Sequence, residues 1–104
     1  MNTQYKKGVL ELCVLSLLEK RDCYGYDVSE ILSGHIELSE GTVYPILRKL
    51  RSDGLVTTYL SEASGGPPRK YYSLTELGKK EYALAKDEWI NFAETVKKLL
   101  KGDF

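Results

Sequence analysis

The feature that most constrains this 104-residue chain is a short amphipathic run held between turn signals, LSEGTVYPILRKLRSDGLV, from Leu38 to Val56. Val43, Ile46, Leu47 and Leu50 recur at i, i+3, i+4 and i+7, which predicts a helix with a single apolar face. Ser39 is its expected N-cap and Asp53-Gly54 its stop. Gly41 and Pro45 fall in what should be the first two turns, where both cost helix stability. A helix this short is not stable alone, so its apolar face must be buried against other elements.

Those elements can be read on either side. KGVLELCVLSLLEKRD predicts a first helix over about Lys6 to Lys20. Leu10, Cys13, Val14, Leu17 and Leu18 form its stripe, while Val9, Leu12 and Leu15 widen the apolar surface beyond what one core needs. YGYDVSEILSG predicts a short second helix with Val28, Ile31 and Leu32 inward and Gly34 at its C-terminus. After the central run, LVTTYLS and RKYYSLT are strand-like, and EASGGPP between them predicts a hairpin with a long tip. From a Thr75 cap a long helix should run to about Lys101. The expected fold is mainly α with a small β-hairpin: residues 1–75 as a three-helix unit with its hairpin, and residues 76–104 as a C-terminal dimerisation helix.

Composition narrows the function. Hydrophobic content of 42% and charged content of 29% are ordinary for a globular domain. A formal charge of zero argues against a non-specific polyanion binder, but a DNA reader depends on where the cations lie. No apolar run approaches the ~20 residues of a membrane span, and the N-terminus lacks a signal-peptide pattern, so the expectation is a cytoplasmic protein without a membrane partner. Cys13 and Cys23 are expected as reduced thiols, Cys13 buried and Cys23 near a helix start. His35, the single histidine, has no cysteine or carboxylate partner at ligand or catalytic spacing. Glu37 and Glu40 near it read as solvated, or Glu40 as a helix-dipole partner. The chain therefore reads as neither an enzyme nor a metal or cofactor protein.

Three short helices followed by a hairpin are the layout of a winged helix-turn-helix, whose third helix enters a DNA major groove while the wing lies along the backbone. On a helical wheel, Gly41, Pro45, Arg48 and Ser52 lie opposite the apolar face, flanked by Thr42, Lys49, Tyr44 and Arg51. Two readings of the glycine and proline stand. Gly41 permits close backbone approach to DNA and Pro45 offers an apolar contact to a thymine methyl. Alternatively, both merely shape the turn into the helix. Arg69 and Lys70 beside the Gly65-Gly66-Pro67-Pro68 tip favour DNA, with Tyr71 and Tyr72 facing opposite sides of the strand.

SEGTVYPILRKLRSDGLV and GGPPRKYYSLTELGKK closely resemble the signature of the PadR family of transcriptional regulators. The Glu-Gly-Thr-x-Tyr-Pro-x-Leu core, the Gly-Pro-x-Arg-Lys-x-Tyr wing and the Leu-Thr-x-x-Gly segment match in order and spacing, and Tyr24-Gly25-Tyr26 resembles the family's second-helix start. The resemblance implies a dimeric, cytoplasmic DNA-binding repressor, with Tyr24, Thr42, Tyr44, Lys49, Arg69 and Lys70 as DNA contacts. With Ser39, Pro45 and Arg48 from the third helix and its approach, these form the candidate interface to a pseudo-palindromic duplex.

The last helix carries Tyr82, Ala85, Trp89, Phe92, Val96 and Leu99 at alternating spacings of three and four, a heptad seam. A seam that its own domain cannot cover calls for a second copy, with the surplus face of helix one around Leu12 as complement. A single C-terminal helix resembles the small PadR subfamily, some of whose multidrug-sensing members sandwich a planar aromatic ligand between two tryptophans at the dimer centre. Trp89 occupies that position in its LAxxxW setting, although Lys86 and Ala93 differ. It reads either as plain interface core or as such a ligand site.

Overall fold

The computed structural model describes residues 3–39, 41–62 and 65–104. Glu40, assigned above to solvent or a helix dipole, and Ala63 and Ser64 of the wing tip lie outside the described residues. The elements are α1 (Thr3–Lys20), β1 (Cys23–Tyr24), α2 (Gly25–Ser33), α3 (Val43–Ser52), β2 (Val56–Ser61), β3 (Arg69–Leu74) and α4 (Glu76–Leu100). This is the winged helix fold with a long terminal helix.

The apolar periodicities converge on one core. Val14 and Leu18 of α1, Val28 and Leu32 of α2, and Val43, Ile46, Leu47 and Leu50 of α3 are all buried. Val56, Tyr72 and Leu74 close the core from the sheet. Leu15, expected on the surplus face of α1, is buried in this core at 5% exposure. Leu12 stays half-buried at its margin, as do Cys13 and Leu17. Cys13 and Cys23 are free thiols, and burial pushes both pKa values up.

Two local expectations are corrected. The hairpin is part of a three-stranded antiparallel sheet of order β1-β3-β2, because Cys23 and Tyr24 pair with Tyr72 and Tyr71. A two-residue strand is too short to show alternation, so only the tertiary partner reveals it. Ser39 is not the N-cap of α3. Its carbonyl accepts the Thr42 backbone N–H (3.3 Å) and the Thr42 hydroxyl (2.8 Å), closing a turn through Gly41 at φ +84°. The helix begins only after that turn, with Thr42 in the capping position.

The same turn accounts for the two helix breakers. Gly41 lies outside α3 and supplies the left-handed backbone of the turn. Pro45 is the third helical residue, where an N–H would have no intrahelical acceptor, so its missing donor costs no hydrogen bond. At the other end the Leu55 N–H donates to the Leu50 carbonyl (2.9 Å) and the N–H of Gly54, at φ +77°, to Arg51 (3.0 Å). Those paired bonds stop the helix in a Schellman motif.

α4 is seated by the same corner. The Thr75 hydroxyl donates to the Gly54 carbonyl (2.7 Å) and accepts the Gly78 N–H (3.0 Å), capping the helix. Gly78 is pressed against the Leu55 carbonyl, where a Cβ would collide with backbone. One turn on, Tyr82 enters the core at 7% exposure, so it packs inside its own chain rather than on the expected seam. Beyond it α4 leaves the domain, giving the molecule extents of 56 × 29 × 21 Å.

Candidate nucleic-acid interface

The outward face of α3 carries Tyr44, Pro45, Arg48, Lys49, Arg51 and Ser52, all exposed, while its other face is almost fully buried. The turn before it is set by Ser39 and Thr42, whose hydroxyls lie 3.2 Å apart. Thr42 is half-buried and its hydroxyl is engaged with the Ser39 carbonyl, so the pair orders the approach to the helix.

Tyr44 leans from α3 toward the start of α2 and lies across Gly25, whose absent side chain makes room for the ring. A Cβ on Gly25 would stand 2.5 Å from the Tyr44 ring. Tyr24, immediately before α2, stands beside β3 of the wing: the Arg69 guanidinium sits 4.9 Å from its ring centroid, a cation–π contact. Tyr24, Gly25, Tyr26, Tyr44, Arg48, Arg69, Lys70 and Tyr72 thus line one open cleft between α2, α3 and the wing. Five of the sequence-derived candidates, Tyr24, Tyr44, Arg48, Arg69 and Lys70, meet there. Three cations and phenolic donors in an open groove match the chemistry of a phosphate backbone.

The remaining candidates stand elsewhere. Ser39, Thr42, Pro45 and Lys49 do not line the cleft. Lys49 Nζ lies 3.1 Å from Asp53 and 3.5 Å from Glu11 of α1. The Asp53 hydrogen bond, then the Glu11 charge, hold its pKa above the ordinary lysine value. Gly25 as the seat of Tyr44 and Tyr26 as a cleft wall were not singled out from the sequence. Their only signal was the Tyr-Gly-Tyr spacing.

A second surface lies on α4. Trp89, Phe92, Ala93 and Val96, with Leu100, Lys97 and Lys101, form an open, largely apolar strip along this one helix. Phe92 and Leu99 are 60% and 54% exposed, whereas Trp89, Ala85 and Val96 are less open to solvent. No described helix is long and apolar enough to cross a membrane.

A third helix with one polar face, a flanking wing and a cation-lined cleft define a winged helix-turn-helix transcription regulator. The family model for the transcriptional regulator PadR-like family matches residues 14–84, and the chain belongs to that family. It is 28% identical over 100 residues to the negative transcriptional regulator PadR of Bacillus subtilis, matching 92% of this chain and 53% of that one. An uncharacterised protein of Lysinibacillus sphaericus is 29% identical, with 92% of each chain matched. The chain thus spans about half of the Bacillus subtilis relative but nearly all of the Lysinibacillus one. Among solved structures, a PadR-like transcriptional regulator from Bacillus cereus superposes with a TM-score of 0.87 at 37% identity, covering 94% of this chain and 97% of that one. A PadR family regulator from Clostridium difficile gives 0.80 at 38%, covering 88% and 97%. The family and these solved neighbours are regulators of transcription, not enzymes.

Proposed function

We propose that this protein is a homodimeric repressor that binds a pseudo-palindromic duplex, with α3 of each protomer in a major groove and the wing on the adjoining backbone. The observation that carries the reading is the single cleft into which α2, α3 and the wing bring Tyr24, Tyr44, Arg48, Arg69 and Lys70. Arg48 and Tyr44 approach base edges or phosphates, while Arg69 and Lys70 neutralise the backbone. Ser39, Thr42 and Pro45 set the helix start against the duplex, and Lys49 stands at its far end. Residues 1–75 read DNA; residues 76–104 join two copies through Ala85, Trp89, Phe92, Val96 and Leu99 against Leu12 of the partner. A protein acting on the chromosome in this way works in the cytoplasm.

A selection of random duplexes on the purified protein tests this reading. A palindromic consensus with half-sites about one helical turn or more apart, bound with steep salt dependence, is the expected outcome. Recovery of no motif and no salt dependence would sink it. The apolar strip on α4, facing its copy across a dimer, supports a second activity: release from DNA by a planar aromatic compound stacked on Trp89. Such a compound should quench the single tryptophan and lower DNA affinity, because a ligand shifts an equilibrium only by binding one state better.

A further inference from the structure

The outer face of the wing carries a row of tyrosines that extends beyond the cleft. Tyr59 of β2 pairs with Tyr71 of β3, and Tyr71 pairs with Tyr24 of β1, so the three side chains lie side by side across all three strands. Tyr59 and Tyr71 are stacked with centroids 5.7 Å apart, and Tyr71 meets Tyr24 edge-on at 5.7 Å. Tyr24 in turn stacks on Tyr26 at 6.2 Å. The far end is tied down where the Tyr59 hydroxyl donates a 2.6 Å hydrogen bond to the Asp22 carboxylate, in the turn that follows α1. Arg69 stands two residues before Tyr71 on the same strand face, and its guanidinium lies over the Tyr24 ring.

From this arrangement we infer that Tyr59 and Asp22 are positioning residues for DNA binding: they brace the tyrosine row, and the row holds Arg69 oriented before DNA arrives. An exposed arginine ordinarily loses rotamer freedom when it meets a phosphate, and a guanidinium already laid on an aromatic face loses less. Asp22 is the informative member of the pair. As a carboxylate near a DNA-binding wing it should oppose binding by charge alone, yet as the anchor of Tyr59 it should favour it.

The inference rests on the DNA reading above, and the test separates the two. Affinity for the selected duplex is measured across a salt series for the wild type, Tyr59→Leu, Tyr59→Phe, Asp22→Ala, Arg69→Ala and the double variant Tyr59→Leu/Arg69→Ala, with thermal melting of each. Arg69→Ala should lower the salt slope by about 0.9 if it neutralises one phosphate. Tyr59→Leu and Asp22→Ala should weaken binding several-fold without lowering the melting temperature appreciably. Tyr59→Phe, which keeps the ring and loses only the hydrogen bond, should match Asp22→Ala in direction and supplies the readout if the leucine variant folds poorly. Adding Tyr59→Leu to Arg69→Ala should cost nothing further, which a merely structural role would not predict. Unchanged or tighter binding by Asp22→Ala, or a full additional loss in the double variant, overturns the positioning role while leaving the DNA reading intact. A wild type that binds no duplex overturns both.

Discussion

Gly25 and Gly78 are both denied a side chain by crowding, yet the atoms that crowd them predict opposite consequences. At Gly78 the obstacle is the Leu55 backbone carbonyl, part of the corner that seats α4. Gly78→Ala must therefore move the helix or the corner, and should cost about 2–4 kcal/mol in denaturant unfolding. At Gly25 the obstacle is the far end of the Tyr44 side chain, which is 43% exposed and free to rotate outward. Gly25→Ala should leave stability within about 1 kcal/mol of wild type while weakening duplex binding, because Tyr44 is displaced from the cleft. Equal losses of stability in the two variants would show that Tyr44 is as firmly held as backbone.

At the scale of elements, α3 and the wing divide the work. Pro45 has no hydrogen bond to lose in the first turn, so Pro45→Ala should change stability by less than about 1 kcal/mol. If Pro45 meets the duplex, the same change alters the selected motif; an unchanged motif leaves it as a shaper of the helix start. The wing should act through charge. Arg69→Ala combined with Lys70→Ala removes two exposed cations, shifting stability by no more than about 0.5 kcal/mol each. The salt slope of duplex binding should fall by about 0.9 for each phosphate that the wing ceases to neutralise, and an unchanged slope would take the wing off the backbone.

The whole molecule is defined by how far α4 travels beyond its own core. Its first turns belong to the folded core, where Gly78 and Tyr82 are buried, and its later turns expose Phe92 and Leu99. Tyr82→Ala should therefore lower the intrinsic stability of the fold, by about 3–5 kcal/mol for a buried aromatic truncation. Trp89→Ala and Phe92→Ala should instead shift the concentration dependence of dimerisation, measured by sedimentation on dilution, with the core left intact. If a planar dye quenches the wild type and Trp89→Ala abolishes dye-induced release from DNA while sparing the dimer, Trp89 belongs to a ligand site. A weakened dimer and no dye quenching of the wild type make it interface core.

Local and periodic properties were legible in the residues alone. The i, i+3, i+4, i+7 spacing located α3 and its buried face, Thr75 marked the start of α4, and strand composition found β2 and β3. The linked core and wing motifs pointed to the family. What the residues did not disclose depends on which element approaches which. Ser39 looked like a cap until its carbonyl was seen closing the turn onto Thr42. Tyr82 and Leu15 shared the apolar spacing of their helices' outward positions, and only packing put them in the core. Lys49 has the same charge as Arg48, but its ion pairs to Glu11 and Asp53 depend on packing that the sequence does not display. β1, the Tyr44 seat on Gly25 and the Arg69 stack on Tyr24 are contacts between segments distant in the chain. A periodic pattern records which face of an element is apolar; it carries no record of the neighbour that will cover that face, and tertiary packing alone decides it.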